Sequence, residues 1–201
     1  IIRNFIQPMK SLIHIILTIF LVLITFTFAN TYGIEVGDKA PNLIGYNAIG
    51  EARLNLYRLM TKMIFKKDEN GQLIKKNGKF EKEFTNYVMV LNFYSKTCIP
   101  CLKEIPTYNK TATKFKGKKV KFLYINVDPN PTKAQIEKLI SQYNISIPVM
   151  MVNQKEAFRK YDADTLPRLY IIDQKKRVNK IITGFNEQLE AEITEILNQL
   201  L

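Results

Sequence analysis

The strongest pattern in the chain is an apolar stretch at residues 87–94, where β-branched and aromatic side chains fill most positions. Such a run is typical of a strand that is buried on both faces of a sheet. Ser95, Lys96 and Thr97 follow as a turn, and residues 102–115 then carry apolar side chains at helical spacing. The pattern therefore predicts a central strand, a tight turn and a helix.

Apolar runs and helical patterns alternate along the rest of the chain. Strands are predicted at residues 53–56, 120–127, 168–172 and 178–183, with a shorter extended segment at 147–152. Helices or helical turns are predicted at residues 57–63, 132–143, 156–161 and 186–201. This alternation, closed by a hairpin and a helix, predicts an α/β domain with a central mixed sheet flanked by helices.

One segment before the central strand is irregular. Residues 64–83 are rich in lysine and contain two Asn-Gly pairs, at 70–71 and 77–78, which favour a small hairpin. We interpret the stretch at about 60–85 as a surface insertion. A solvated loop and a surface that docks a partner are both consistent with this composition.

Residues 1–29 form a separate N-terminal segment. Lys10 precedes an apolar run at residues 12–28, and the small residue Ala29 follows it. This order is typical of a secretory signal peptide. The run of 17 residues is also at the lower limit for a spanning helix, so a membrane anchor stays open. Either reading places the domain at residues 35–201 outside the cytoplasm, where disulfides persist.

The charge of the chain is strongly basic, with a formal net charge of +12. Arg3 and Lys10 are the charged residues of the first 29, so the remainder carries +10. Basic charge of this size is compatible with nucleic acid or with an anionic membrane surface. The lysines are spread along the chain without interleaved aromatic residues, so we expect a solvated basic surface and no nucleic-acid partner.

The cysteine and histidine content argues against a metal site or a haem site. Cys98 and Cys101 are the two cysteines, and His14, the one histidine, lies in the N-terminal apolar run. A single C-x-x-C supplies two of the four usual zinc ligands. Leu102, rather than histidine, follows the pair, which excludes c-type haem attachment. We expect neither a metal nor another cofactor.

The two cysteines lie where the predicted central strand gives way to the predicted helix. With Cys98 at or beside the helix N-cap, the free N–H groups and the helix dipole favour a thiolate there. The pKa of Cys98 should therefore be lowered. Cys101 follows three residues later, so the pair can cycle between dithiol and disulfide with little backbone movement.

The order of motifs resembles a known family. Gly37-Asp38-x-Ala40-Pro41, a hydrophobic strand, the C-x-x-C and a later Leu-Pro before a strand resemble the thioredoxin fold. Within it they resemble the extracytoplasmic thiol–disulfide oxidoreductases of the TlpA/ResA type, in the redoxin or AhpC/TSA superfamily. The resemblance covers residues 36–201.

That resemblance implies an activity and a set of partners. The expected function is reduction of disulfides in exported proteins, such as apocytochrome c during cytochrome c maturation. The expected location is the periplasm or the outer face of the membrane. A membrane thiol carrier would restore the dithiol.

The resemblance also implies roles for five residues. Cys98 matches the attacking cysteine, and Cys101 matches the resolving cysteine. Glu104 matches a buried acid with a raised pKa that takes the proton of Cys101; from the sequence alone, an exposed helix glutamate is the alternative. Pro167 matches the cis proline that faces the disulfide, and the backbone of Leu166 would bind an extended substrate segment.

Departures from the family pattern concern the surroundings of the cysteines. The family usually carries Trp just before the first cysteine and often carries it where Tyr94 stands, but Thr97 precedes Cys98 and the chain has no Trp. Asn92 stands where cytoplasmic thioredoxins have a buried aspartate. Pro106 matches the proline that kinks the cysteine helix.

Three other functions stay open at this point. A peroxiredoxin-type thiol peroxidase shares the opening motif, but Leu91 stands where its active loop needs proline, and Cys101 is close for a resolving cysteine. A disulfide oxidase or isomerase would use the same chemistry in another direction. A static disulfide in a binding module is disfavoured, because a bridge over so short a loop stabilises little.

Overall fold

A computed structural model describes residues 14, 16–18, 33–50 and 52–201. The chain divides into two compact units, Ile1–Gly33 and Ile34–Leu201. In the first unit, residues 14 and 16–18 are helical. Among the described residues, no helix has both the length and the apolar character needed to cross a membrane. Apart from these four positions, the predicted signal peptide or anchor lies outside the described residues and stays a prediction.

The second unit alternates strands and helices in the predicted manner. Its strands are β1 (Ile44–Asn47), β2 (Arg53–Asn55), β3 (Thr61–Phe65), β4 (Lys75–Lys76), β5 (Lys79–Phe80), β6 (Lys82–Asn86), β7 (Val88–Tyr94), β8 (Val120–Asn126), β9 (Val149–Val152), β10 (Arg168–Ile172) and β11 (Val178–Thr183). Its helices are α1 (Leu56–Leu59), α2 (Ile99–Lys114), α3 (Lys133–Gln142), α4 (Gln154–Tyr161) and α5 (Leu189–Leu200).

Seven strands form one mixed sheet in the order β11-β10-β7-β8-β9-β1-β2. β7 pairs in parallel with β8 and antiparallel with β10. All seven residues of β7 are buried, which explains its nearly continuous apolar sequence. The predicted α/β class with a central mixed sheet is confirmed.

Alternate residues of β7 supply two hydrophobic cores, one on each face of the sheet. Tyr94 belongs to the core that includes residues of α2, α3 and α5, whereas Phe93 belongs to the core that includes residues of α1 and α4. Within the second core, Phe93, Tyr161 and Tyr170 lie ring against ring at centroid distances of 5.0 to 5.7 Å. Helices therefore cover both faces of the sheet and hold β7 in its centre.

The stretch at 60–85 is more regular than the sequence predicted. β3 and β6 pair antiparallel, and β4 and β5, with two residues each, form a hairpin. Asn77 and Gly78 turn this hairpin with positive φ angles of 49° and 73°, as a type I′ turn requires. The pattern missed β3 and β6 because nearly all of their residues are exposed, and a strand without a buried face lacks the usual signal.

Several element boundaries also differ from the predictions. β1 was not predicted. The helix N-cap predicted at or beside Cys98 is confirmed, because α2 begins at Ile99, and Pro100 fits the first turn of a helix. α5 begins at Leu189 rather than at Asn186, which lies in the loop before it. The predicted strands at 168–172 and 178–183 match β10 and β11.

Candidate active site

The two cysteines form a disulfide at the start of α2. Cys98 is the N-cap residue, and its sulfur accepts a hydrogen bond from the backbone N–H of Cys101 at 3.2 Å. The sulfur thereby takes the place of the oxygen that usually caps a helix. After reduction, the same N–H and the helix dipole would stabilise a thiolate at Cys98.

The two sulfur-bearing residues differ in accessibility. Cys98 is half-buried, whereas Cys101 is 2% exposed and belongs to the hydrophobic core beneath the helix. Another protein can therefore approach Cys98 but not Cys101. This arrangement suits an attacking thiol at the first position and an internal resolving thiol at the second.

A buried aspartate that the sequence analysis did not single out holds the turn before Cys98. Asp128 follows β8 and is 3% exposed. Its carboxylate accepts hydrogen bonds from the hydroxyl of Ser95, from the backbone N–H of Lys96 at 3.0 Å and from the side-chain amide of Asn126 at 2.8 Å. The signal in the sequence was a lone acidic residue directly after a buried strand.

Glu104 lies one turn beyond Cys101 in α2 and is 3% exposed. Its Oε1 accepts a 2.8 Å hydrogen bond from the backbone N–H of Asn186. Burial raises the pKa of Glu104, and the hydrogen bond from Asn186 opposes this shift. Residues three apart share a helix face, so a carboxyl group with a raised pKa lies on the side of the helix that carries Cys101.

Leu166 and Pro167 lie at the same end of the sheet as the cysteines. The peptide bond between them is cis. Arg168, the first residue of β10, pairs with Phe93 near the end of β7, from which the cysteine turn departs. Leu166 is half-buried and packs against the core that Cys98 also contacts.

The loop after β11 connects the cis proline to Glu104. The N–H of Gly184 donates to the carbonyl of Pro167 at 2.9 Å, and two residues later Asn186 donates to Glu104. Phe185, between them, is 48% exposed. The loop that contacts the cis proline therefore carries an exposed aromatic side chain.

The two positions where the resembled family carries tryptophan, Tyr94 and Thr97, have different environments. Tyr94 is fully buried, and its ring packs against Tyr124 at 5.5 Å, so it belongs to the core. Thr97 is exposed next to Cys98. Ile99, on the other side of Cys98, is 63% exposed. Ile99 thus supplies exposed apolar surface beside the disulfide.

Sequence comparisons point to thiol–disulfide exchange proteins. A sequence model described as "AhpC/TSA family" matches residues 66–181. A thiol-disulfide oxidoreductase ResA from Bacillus thuringiensis subsp. konkukian is 29% identical over 119 residues, which are 59% of this chain and 66% of that protein. The ResA of Bacillus subtilis is 25% identical over 171 residues, covering 85% of this chain and 79% of that protein. The chain thus spans just under two thirds of the first relative.

Solved structures show the same fold. A thiol:disulfide interchange protein from Bacteroides sp. has a TM-score of 0.61 at 14% identity, covering 82% of this chain and 91% of that one. A thiol:disulfide interchange protein of the thioredoxin family from Chlorobium tepidum has a TM-score of 0.58 at 18% identity, covering 83% and 97%. The fold is thioredoxin-like, as predicted.

Proposed function

This chain belongs to the AhpC/TSA family, and we propose that it is a thiol–disulfide oxidoreductase that reduces disulfides in exported proteins. The observation that carries the proposal is the unequal burial of the two joined cysteines. Cys98 caps a helix at an accessible position, and Cys101 is buried within bonding distance of it. Two of its relatives are named thiol-disulfide oxidoreductase ResA, which supports this class of activity.

The reaction proceeds in two exchange steps. The Cys98 thiolate attacks one sulfur of a substrate disulfide, forming a mixed disulfide and releasing the other substrate sulfur as a thiolate. Glu104 takes the proton of Cys101 through its raised pKa. The Cys101 thiolate then attacks the sulfur of Cys98, which releases the second substrate thiolate and forms the observed Cys98–Cys101 bridge.

Substrate binding is assigned to the end of the sheet that holds the cysteines. An extended segment would pair with the backbone of Leu166, as an added strand does, and Pro167 would face the disulfide. Each turnover consumes two electrons, so a dithiol donor must reduce the bridge again. A membrane thiol carrier is the proposed donor, and apocytochrome c is one proposed substrate.

The proposed location is outside the cytoplasm. Disulfides form and persist in oxidising compartments outside the cytoplasm, so a protein that reduces them in its substrates acts there. The apolar run at residues 12–28 supports export, whether it is cleaved or retained as an anchor. The peroxidase alternative is not favoured. The active loop of a peroxiredoxin needs proline at the position of Leu91, but Leu91 lies within the buried strand β7.

Trapping of reaction intermediates tests the activity. We expect Cys101→Ser to accumulate mixed disulfides with exported proteins, because the resolving thiol is gone while the attacking thiol remains. Cys98→Ser is the matched control and should trap none. If Cys101→Ser forms no mixed disulfides but still consumes hydroperoxide, the chain is a peroxidase.

The reduction potential tests the direction. We expect equilibration of the purified protein with glutathione and dithiothreitol buffers to give a value near or below that of thioredoxin, about −270 mV. A value near that of DsbA, about −120 mV, would instead make the chain an oxidase or isomerase.

A further inference from the structure

The segment Thr61–Asn86 forms a β-arm that projects lysines and aromatic side chains from the domain. β3 and β6 pair along its base, and β4 and β5 form its outer hairpin. Backbone hydrogen bonds of Lys66 with Glu81 and of Ile74 with Lys66, both 3.0 Å, join the two pairs into one ladder. This β-arm is a formed structure with a defined register.

The register gives the base of the β-arm two different faces. Met63 lies opposite Phe84, and two residues on, Phe65 lies opposite Lys82, so these four side chains share one face. Phe80 joins them, because its ring lies 5.9 Å from that of Phe65. The apolar members are exposed by 41% to 65%.

The opposite face of the base is more polar. Ile64 lies opposite Glu83, and Lys62 lies opposite Thr85. Of these four residues, Ile64 is apolar and 37% exposed, and the other three are polar. The β-arm is therefore amphipathic, with its aromatic side chains gathered on one side.

Lysines accompany the aromatic face, so the expectation of lysines without interleaved aromatic residues was wrong for the β-arm. Lys82 lies 6.0 Å above the ring of Phe65, and Lys75 lies 4.8 Å above the ring of Phe80. Each of these lysines is the cross-strand partner of the aromatic residue that it covers. The whole β-arm contains seven lysines against four acidic residues, a net charge of +3.

We propose that this aromatic face docks on an anionic lipid surface. Exposed aromatic and aliphatic side chains enter the boundary between headgroups and acyl chains, while neighbouring lysines meet lipid phosphates. A contiguous exposed apolar patch of this kind marks an interaction site, and its lysines select a negatively charged partner. The proposal is independent of the redox activity.

Docking would also orient the redox site. β6 ends at Asn86, one residue before β7 begins at Val88, whereas the cysteine turn follows the last residue of β7, Tyr94. The six steps between its seven residues, at about 3.3 Å each, separate the two ends by roughly 20 Å. Docking through the β-arm would thus leave the disulfide at the end of β7 that lies farther from the docked segment.

The absence of tryptophan from residues 1–201 allows a local test in the whole of this chain. Phe84→Trp places a fluorescent probe on the aromatic face, and Ile64→Trp places the matched control on the opposite face. Both sites are exposed, and equal urea unfolding midpoints would show that both variants fold. Each variant is titrated with vesicles of pure phosphatidylcholine and with vesicles containing equal parts of phosphatidylglycerol.

Vesicles with phosphatidylglycerol should shift the Phe84→Trp emission to shorter wavelength, and lipids brominated in the acyl chain should quench it. The Ile64→Trp emission should not respond, even where residues 1–29 hold the protein on the vesicle. Adding Lys75→Glu and Lys82→Glu to the Phe84→Trp variant should raise the lipid concentration for half-maximal response by about tenfold or more.

Three results would overturn the proposal. The first is an unchanged Phe84→Trp spectrum in anionic vesicles. The second is an equal response to pure phosphatidylcholine, which would remove the role of the lysines. The third is an emission already shifted before lipid is added, which would show that another segment or a second copy covers the face.

Discussion

The backbone N–H of Asn186 donates a 2.8 Å hydrogen bond to Oε1 of Glu104, although the two residues are 82 positions apart. The bond ties the loop before α5 to the buried face of the cysteine helix. The same loop contacts the cis proline through Gly184. A single short loop therefore connects the proposed proton acceptor with the proposed substrate-binding backbone.

Glu104→Gln should make the stability of the oxidised protein less dependent on pH. Because burial raises the pKa of Glu104, the folded protein binds this proton more tightly than the unfolded chain. The free energy of unfolding of the wild type should therefore fall as pH rises from the ordinary Glu value of 4.5 through the raised pKa. The variant, which keeps an oxygen for the Asn186 N–H, should not show this decline.

Urea unfolding across this pH range measures the difference, which should grow in favour of the variant as pH rises. Glu187→Gln, at an exposed position near Asn186, is the control and should follow the wild type.

In kinetics, Glu104→Gln should slow release of substrate from the mixed disulfide by about 10²-fold or more. Unchanged release at neutral pH would remove Glu104 from the mechanism.

Asp128→Ala should loosen the cysteine turn and destabilise the domain by about 2–3 kcal/mol. The change leaves the Lys96 N–H and the Asn126 amide without their buried charged acceptor. Urea unfolding provides the measurement. Asp164→Ala, at an exposed position, should stay within about 0.5 kcal/mol of the wild type. Equal losses for both variants would contradict the proposed role of Asp128.

Phe185→Ala should weaken the reduction of protein disulfides about tenfold in kcat/KM. Its exposed ring next to the cis-proline loop offers apolar surface to a substrate segment, and partial burial of such a ring is worth about 1.4 kcal/mol. The reaction with glutathione disulfide, which is too small to reach the ring, should not change. Ile49→Ala, a similarly exposed position between β1 and β2, is the control.

Gly45→Ala should strongly destabilise the edge of the sheet. A Cβ at this position would lie 2.2 Å from the carbonyl oxygen of Met151 and 2.9 Å from the side chain of Met150, so backbone must move. We expect a loss of about 3 kcal/mol in urea unfolding. Gly37→Ala has a positive φ of 97° but open space around it, and its loss should be about 1 kcal/mol. A loss at Gly45 no larger than at Gly37 would mean that β1 shifts freely against β9.

The sequence located elements wherever burial imposes a pattern on it. β7 and β10 have nearly continuous apolar sequences because both of their faces are covered, and their predicted bounds are close to those observed. β3 and β6 were missed because they are largely exposed. β1 was missed because it is short and alternates exposed and buried residues over only four positions.

By itself, the sequence determined the α/β class and the position of both cysteines at a strand–helix junction. These follow from side-chain periodicity and helix capping, which act over a few residues. Only the tertiary structure decided that Cys101 and Glu104 are buried, that Asn186 meets Glu104 and that Asp128 holds the turn before Cys98. Those contacts depend on strand order and register, which join residues distant in the chain and leave no local pattern.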